Sequence, residues 1–233
     1  MSEPTFPPLF AGEALAGRAD PFERARAQAI AGCDPGTVIY NISDQALHAA
    51  LILGPEVALE DAMAMMPACG VGFQNALGSL APPEVAVHLE WDGKIRVNGA
   101  QCGMLKACAS TQEGAAIPDW LVIGLQLDLL FESDAPGEDP DRTALYEEGC
   151  ADVEATQLLE AWVRHTLYWI SRWSEEGVRP LHVAWRELAH EMGEPAEFCG
   201  VSGVFVGVDE QFGALLRDGE TTHLVALSRL LEN

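Results

Sequence analysis

The stretch HLEWDGKIRVNGAQCGMLKAC, residues 88–108, gathers His88, Lys94, Arg96, Cys102, Lys106 and Cys108, side chains that can serve as nucleophile, base or cation. A thiolate is the nucleophilic form of cysteine, so Cys102 or Cys108 could act as a nucleophile, with Lys106 or His88 as the assisting base. That chemistry requires an exposed, reactive thiol; a buried thiol would remove it. Lys94 and Arg96 are few cations for an anionic ligand.

The same stretch predicts the elements that must position these groups. Ala86 to Trp91, Lys94 to Val97 and Gln101 to Ser110 read as three successive strands. The links between them are Asp-Gly and Asn-Gly, which accept positive φ at little cost and so make tight hairpins. After a Pro-rich N-terminal arm, ADPFERARAQAIAG predicts a helix capped by Asp20, with Pro21 in its first turn and Gly32 as its stop. Strands follow at Thr37 to Tyr40 and Ala46 to Leu53, joined by NISDQ. PEVALEDAMAMM predicts a second helix with Pro55 in its first turns, and GVGFQNALGSL a third that ends at Pro82 and Pro83.

DWLVIGLQLDLLF reads as a central strand buried on both faces, and ESDAPGEDPDR as an exposed acidic loop. From Asp152 to Glu176 apolar residues recur at helical spacing, and Leu181 to Met192 is a shorter helix. After Pro195 the pattern changes to three short strands, VSGVFVGV, FGALLRDG and TTHLVAL. About forty residues are too few to be stable alone, so this module should dock on the rest. The expected division is 1–194 and 195–233, an α+β domain followed by a β appendage.

Composition sets the outer bounds. With 36 acidic and 13 basic residues the formal net charge is −23, which repels a polyanion and disfavours nucleic-acid binding. Residues 62–83 carry no charge, but prolines, glycines, Gln74 and Asn75 interrupt them, so no membrane span is expected. MSEPTFPPLF lacks the cationic start and apolar run of a secretory signal, and a cytoplasmic protein is expected. Six cysteines and six histidines are dispersed without metal-ligand spacing, so no metal site is expected. Oligomeric state is left open.

EWDGKIRVNGAQCGML, WLVIGLQLDL, EAWVRHTLYWISRWSEEGVRPLHVAWRE and VFVGVDEQFGALLRDGETTHLVALSRLL together make the chain resemble the biotin and lipoate protein ligases. The resemblance covers most of the chain. It implies a mixed, mostly antiparallel sheet flanked by helices, of the class II synthetase-like kind, followed by a small SH3-like β module. Family members join biotin or lipoate to AMP with ATP and a divalent metal, then transfer the acyl group to a lysine of a carrier domain. Trp91, Ile95, Val97, Asn98, Gly99 and Gly103 match the family's Lys-Trp-Pro-Asn-Asp … Val-Asn-Gly … Lys … Gly-Gly pattern. Glu90 stands where the pattern has its first Lys, Gln101 where it has the active lysine, and Met104 where it has the second glycine.

Condensing two anions demands cations that offset charge developing on the carboxylate and the α-phosphate. Gln101 is neutral. NISDQ occupies the place of the family's Gly- and Arg-rich loop, and no arginine lies between Arg26 and Arg96. Only Gly124 is retained of the later Gly-x-Gly-x-Asn element, which ends here at Asp128. The expectation is a ligase-like protein without normal ATP-dependent activity, holding at most a small acyl ligand or a carrier protein. A divergent active ligase or an ATP-independent acyltransferase is the alternative. ATP, Mg²⁺ and biotin or lipoate are implied only if ligation is retained. The resemblance points to Trp91, Asn98, Gln101, Cys102, Gly103, Gly124 and Asp128 as ligand-binding candidates, with no catalytic residue assigned.

Overall fold

A computed structural model describes residues 3–131 and 140–232. Most of the acidic loop expected at 132–142 lies outside the described residues. Seven strands form one mixed sheet: β1 (Ala11–Ala14), β2 (Thr37–Ile42), β3 (Ala46–Leu53), β4 (Val87–Leu89), β5 (Lys94–Val97), β6 (Ala100–Ala109) and β7 (Leu121–Asp128). Their order is β1-β2-β3-β7-β6-β5-β4, with β1 parallel to β2 and the remaining pairs antiparallel. β7 is therefore the middle strand, as its almost continuous apolar run requires. β1 lies inside the stretch read as a Pro-rich arm. A four-residue edge strand with no buried side chain carries no alternating pattern to betray it.

The two sheet faces are covered differently. Helix α1 (Pro21–Ile30), capped by the Asp20 carboxylate on the Phe22 amide at 2.8 Å, lays Phe22, Ala25 and Ala29 over Ile39, Ala50, Ile52 and Val122. It packs on β2, β3 and β7 and reaches β6 at Cys108, near that strand's C-terminal end.

The other face carries α2 (Leu59–Ala62), α3 (Met65–Gly78), α4 (Ala155–Glu176) and α5 (Arg179–Leu188). The uncharged stretch is the buried helix α3, apolar all round because it is enclosed on every side. Trp162 of α4 donates to the Cys69 carbonyl at 3.0 Å and Trp169 to Asn75 Oδ1 at 2.8 Å. At Gly72 a Cβ would lie 2.8 Å from Thr166 Oγ1, so only glycine lets the two helices approach this closely. The second helix expected from Pro55 starts instead at Leu59, and Pro67 opens the third instead of breaking it. Proline is tolerated in a first turn, where its missing N–H leaves no bond unmade.

Four further strands, β8 (Pro195–Phe198), β9 (Val201–Val208), β10 (Ala214–Asp218) and β11 (Thr221–Val225), form a separate antiparallel sheet in the order β11-β10-β9-β8. Three were expected; β8, half-exposed and headed by a proline, was not. This sheet docks through aromatic contacts: Trp91 stands 4.7 Å from Phe198, and Phe212 meets Trp185 at 6.0 Å, ring centre to ring centre. The C-terminus then returns to the large sheet, where Leu231 bridges Ala107 and the Glu232 amide donates to the Ala107 carbonyl at 2.8 Å.

Candidate functional site

Strand register gathers the polar groups on the face that α1 leaves open. Side chains of antiparallel partners project to the same side. His48, Gln126, Met104 and Lys94 are consecutive partners across β3, β7, β6 and β5, and Ala50, Gly124 and Lys106 form the next row. Arg96 pairs with Gln101. Between Gly103 and Gln101 the strand takes one extra residue, Cys102, against Ile95 and Arg96. This bulge turns the Cys102 side chain into the core, where it is fully buried.

The cations of this face are already engaged. Glu90 takes Lys94 Nζ at 3.2 Å and Arg96 Nε at 2.5 Å, and Asp92 takes Lys94 Nζ at 2.6 Å. Lys106 meets Glu232 at 3.4 Å, and Arg142 meets Asp128 at 3.1 Å. Burial pulls the Lys94 pKa down, but the hydrogen bonds and charges of Asp92 and Glu90 outweigh it and hold the ammonium above the ordinary lysine value. The Glu90 pairs are largely shielded from water, Glu90 and Arg96 side chains being 13% and 16% exposed, so they are stronger than ordinary surface pairs.

The sequence-predicted residues fall into separate groups. Gln101 and Asp128 meet the same segment: the Gln101 amide donates to the Asp141 carbonyl at 2.8 Å, its carbonyl accepts from Thr143 N at 2.9 Å, and Asp128 holds Arg142. Asn98 adopts φ 51° before Gly99 at φ 99°, and its side chain accepts from Ala86 N at 3.0 Å and donates to Glu148 at 2.9 Å. Its bonds thus bind the hairpin to the segment after β7. Trp91 lies on the opposite side, buried under the small sheet, with its indole N–H donating to the Phe212 carbonyl at 2.7 Å.

Two glycines are explained by close approach. A Cβ at Gly103 would stand 2.5 Å from the Gln126 carbonyl oxygen, and one at Gly124 would stand 2.6 Å from Phe22 of α1. Glu90, Asp92, Lys94 and Arg96 form a network that was not selected from sequence. Its signal was available, since two acids and two bases alternate across a tight turn.

The thiols do not fit the nucleophile role. Cys102 is buried, its Sγ 3.5 Å from the Asp128 carbonyl, and burial pushes its pKa far above the ordinary thiol value, helped by Asp128 and Glu148. Burial likewise raises Cys108 to about 12. Neither yields thiolate at neutral pH. Among the described residues no group of three or more His, Cys, Asp or Glu could hold a metal ion, and no helix is long and apolar enough to cross a membrane.

Residues 6–187 match the model of the biotin/lipoate A/B protein ligase family, and residues 192–233 match a domain of unknown function, DUF4444. No curated protein matches the chain. A solved biotin protein ligase-like protein of unknown function from Silicibacter sp. TM1040 is similar at 57% identity and TM-score 0.94, covering 99% of this chain and 100% of that one. The biotin protein ligase from Aquifex aeolicus in complex with biotin and ATP is 18% identical with TM-score 0.72, covering 92% and 95%. The Leishmania major enzyme with biotinyl-5-AMP is 14% identical with TM-score 0.57, covering 93% and 97%. At those identities the two enzymes attest the fold. From the match over residues 6–187, the chain belongs to the biotin/lipoate A/B protein ligase family.

Proposed function

We propose that this chain keeps the ligase scaffold as a binding protein for a small acyl compound or a carrier protein and does not carry out ordinary ATP-dependent ligation. The observation that carries the reading is the pairing of Lys94, Arg96, Lys106 and Arg142 with carboxylates of the chain itself. ATP and an acyl carboxylate are both anions. A site that joins them needs unpaired donors aimed at the charge that develops, and one such donor is worth about 3 kcal/mol, or roughly 100-fold in rate. Here an incoming phosphate competes with Glu90 and Asp92 for Lys94 and Arg96, and Gln101 offers no charge in their place. The residues present do not fit an ATP–metal complex.

On this reading Gln101, Gln126, His48 and Asp128 are the polar lining for a ligand of low charge, while Trp91, Cys102, Gly103 and Gly124 shape the sheet and its docking. Residues 1–194 act as the binding domain and 195–233 as the module that braces it, in a cytoplasmic protein with no nucleic-acid partner. Isothermal titration of the purified chain tests the proposal. Biotin, lipoate or an octanoyl amide should bind with an affinity that added ATP and Mg²⁺ leave unchanged. A tenfold or larger gain on adding ATP and Mg²⁺ would contradict it, because coupled binding marks a condensing site.

A further inference from the structure

The partner of Lys106 differs from the partners of the other cations on the sheet face. Glu90, Asp92 and Asp128 belong to the large sheet and its turns, whereas Glu232 comes from the segment that leaves the small sheet. After β11 the chain makes a short 3₁₀ turn, Leu227–Leu230, and then an extended strap through Leu231 and Glu232. Leu227 and Leu231 are buried, and the Arg229 guanidinium donates to the Cys199 carbonyl of the β8–β9 hairpin at 2.8 Å. The strap is thereby tied at its root to the small sheet.

Its outer part fills a gap beside β6. β5 accompanies β6 only from Ala100 to Met104, and the turn before β5 reaches one residue further, the Leu105 amide donating to the Gly93 carbonyl at 2.7 Å. The strap takes up the edge beyond, at Ala107. That backbone pairing covers an open strand edge and would do so with any side chain at 232. The carboxylate is a separate feature. It meets Lys106 Nζ at 3.4 Å while its own side chain stays 43% exposed. Lys106 follows Met104 on the same face, about 7 Å along the strand, and its row partners Gly124 and Ala50 are small and uncharged.

We propose that the small module regulates the acyl site in cis: Glu232 is an internal competitor for Lys106, and the carboxylate of a free acyl acid takes its place. Lys106 then selects acids over the corresponding amides. The inference rests on the reading of the open sheet face as an acyl-binding site. A compound lying over His48, Gln126 and Met104 has Lys106 as the next polar group along β6. Replacing one carboxylate by another keeps the ammonium paired, so the exchange suits a singly charged acid. A half-exposed single pair has the strength of a surface salt bridge, which a ligand can displace. The shielded pairs at Glu90 do not lend themselves to this exchange, and their acid has no strap to carry it away.

Two measurements on the full chain test it, and both use Glu232→Gln, which keeps the strap's backbone pairing. Lys94 and Lys106 are the only lysines of the chain, so brief acetylation with sulfo-NHS-acetate, read by peptide mass spectrometry, reports on Lys106 with Lys94 as the internal reference. Lys106 should react about two- to fivefold faster in Glu232→Gln than in the unchanged chain. In isothermal titration octanoate should bind Glu232→Gln about two- to fivefold more tightly, whereas octanamide should bind both proteins alike. In a Lys106→Gln background Glu232→Gln should no longer alter the octanoate affinity. Equal acetylation of Lys106, an equal gain for octanamide, or a gain that persists without Lys106 would overturn the proposal. Faster acetylation with neither compound bound would overturn the acyl-binding reading itself, and the competition with it, so the labelling tells the two failures apart.

Discussion

Replacing Trp91 by Phe separates a residue that holds the small sheet from one that holds a ligand. The indole is 3% exposed, packs tilted at 43° against Phe198 and donates to the Phe212 carbonyl at 2.7 Å across the two sheets. Phenylalanine keeps most of the apolar contact but lacks the donor. Leaving a buried carbonyl short of its partner costs about 1–3 kcal/mol, and the smaller ring adds about 1 kcal/mol of lost packing. The expected loss is therefore about 2–4 kcal/mol, a large share of the 5–15 kcal/mol typical of a whole domain. Urea unfolding followed by far-UV circular dichroism should show a lower midpoint with the slope unchanged, if both sheets still unfold together. An unchanged midpoint would refute the bracing role and return Trp91 to the ligand candidates.

Three further outcomes follow from contacts already described. Glu90→Gln should cost about 1–3 kcal/mol by breaking the shielded pairs to Lys94 and Arg96, and should raise affinity for inorganic phosphate by freeing those cations; titration with phosphate checks the gain. Gly103→Ala should lower the melting temperature more than Gly124→Ala, because the added methyl meets the fixed Gln126 carbonyl in the first case and the movable Phe22 ring in the second. Buried Cys69 and Cys108 have pKa values pushed up to about 12, and Cys102 higher still. A raised thiol pKa gives stability that is complete below the unfolded value of about 8.5 and is lost as pH rises towards the folded one. Stability should therefore fall by up to about 1.4 kcal/mol per pH unit for each of the three thiols above pH 9, and a flat urea midpoint from pH 8 to 10 would contradict this.

Local chemistry made much of the fold legible. Asp20, Pro21 and Gly32 bracket α1, the alternation of ALHAALIL marks β3 at Ala46–Leu53, and the Asn-Gly turn joins β5 to β6. β1 and β8 escaped because four-residue edge strands carry little hydrophobic pattern, and their pairing is decided by distant partners. The site was legible in part. The alternation of Glu90, Asp92, Lys94 and Arg96 contains the ion-pair network, since a tight turn must bring those charges together. The pairs Lys106–Glu232 and Asp128–Arg142 have no local signal, and neither does the bulge that buries Cys102. Trp91 carried a motif match, but only the docked small sheet reveals the carbonyl that its indole serves.

If the scaffold's cations are held by its own carboxylates as proposed, the chain should not activate acyl carboxylates. ATP–pyrophosphate exchange by the purified chain, with biotin, lipoate and octanoate each in the presence of Mg²⁺, addresses it most directly. No exchange above the protein-free rate should appear with any of the three acids. Exchange with any one of them at the rate of a working ligase would contradict it.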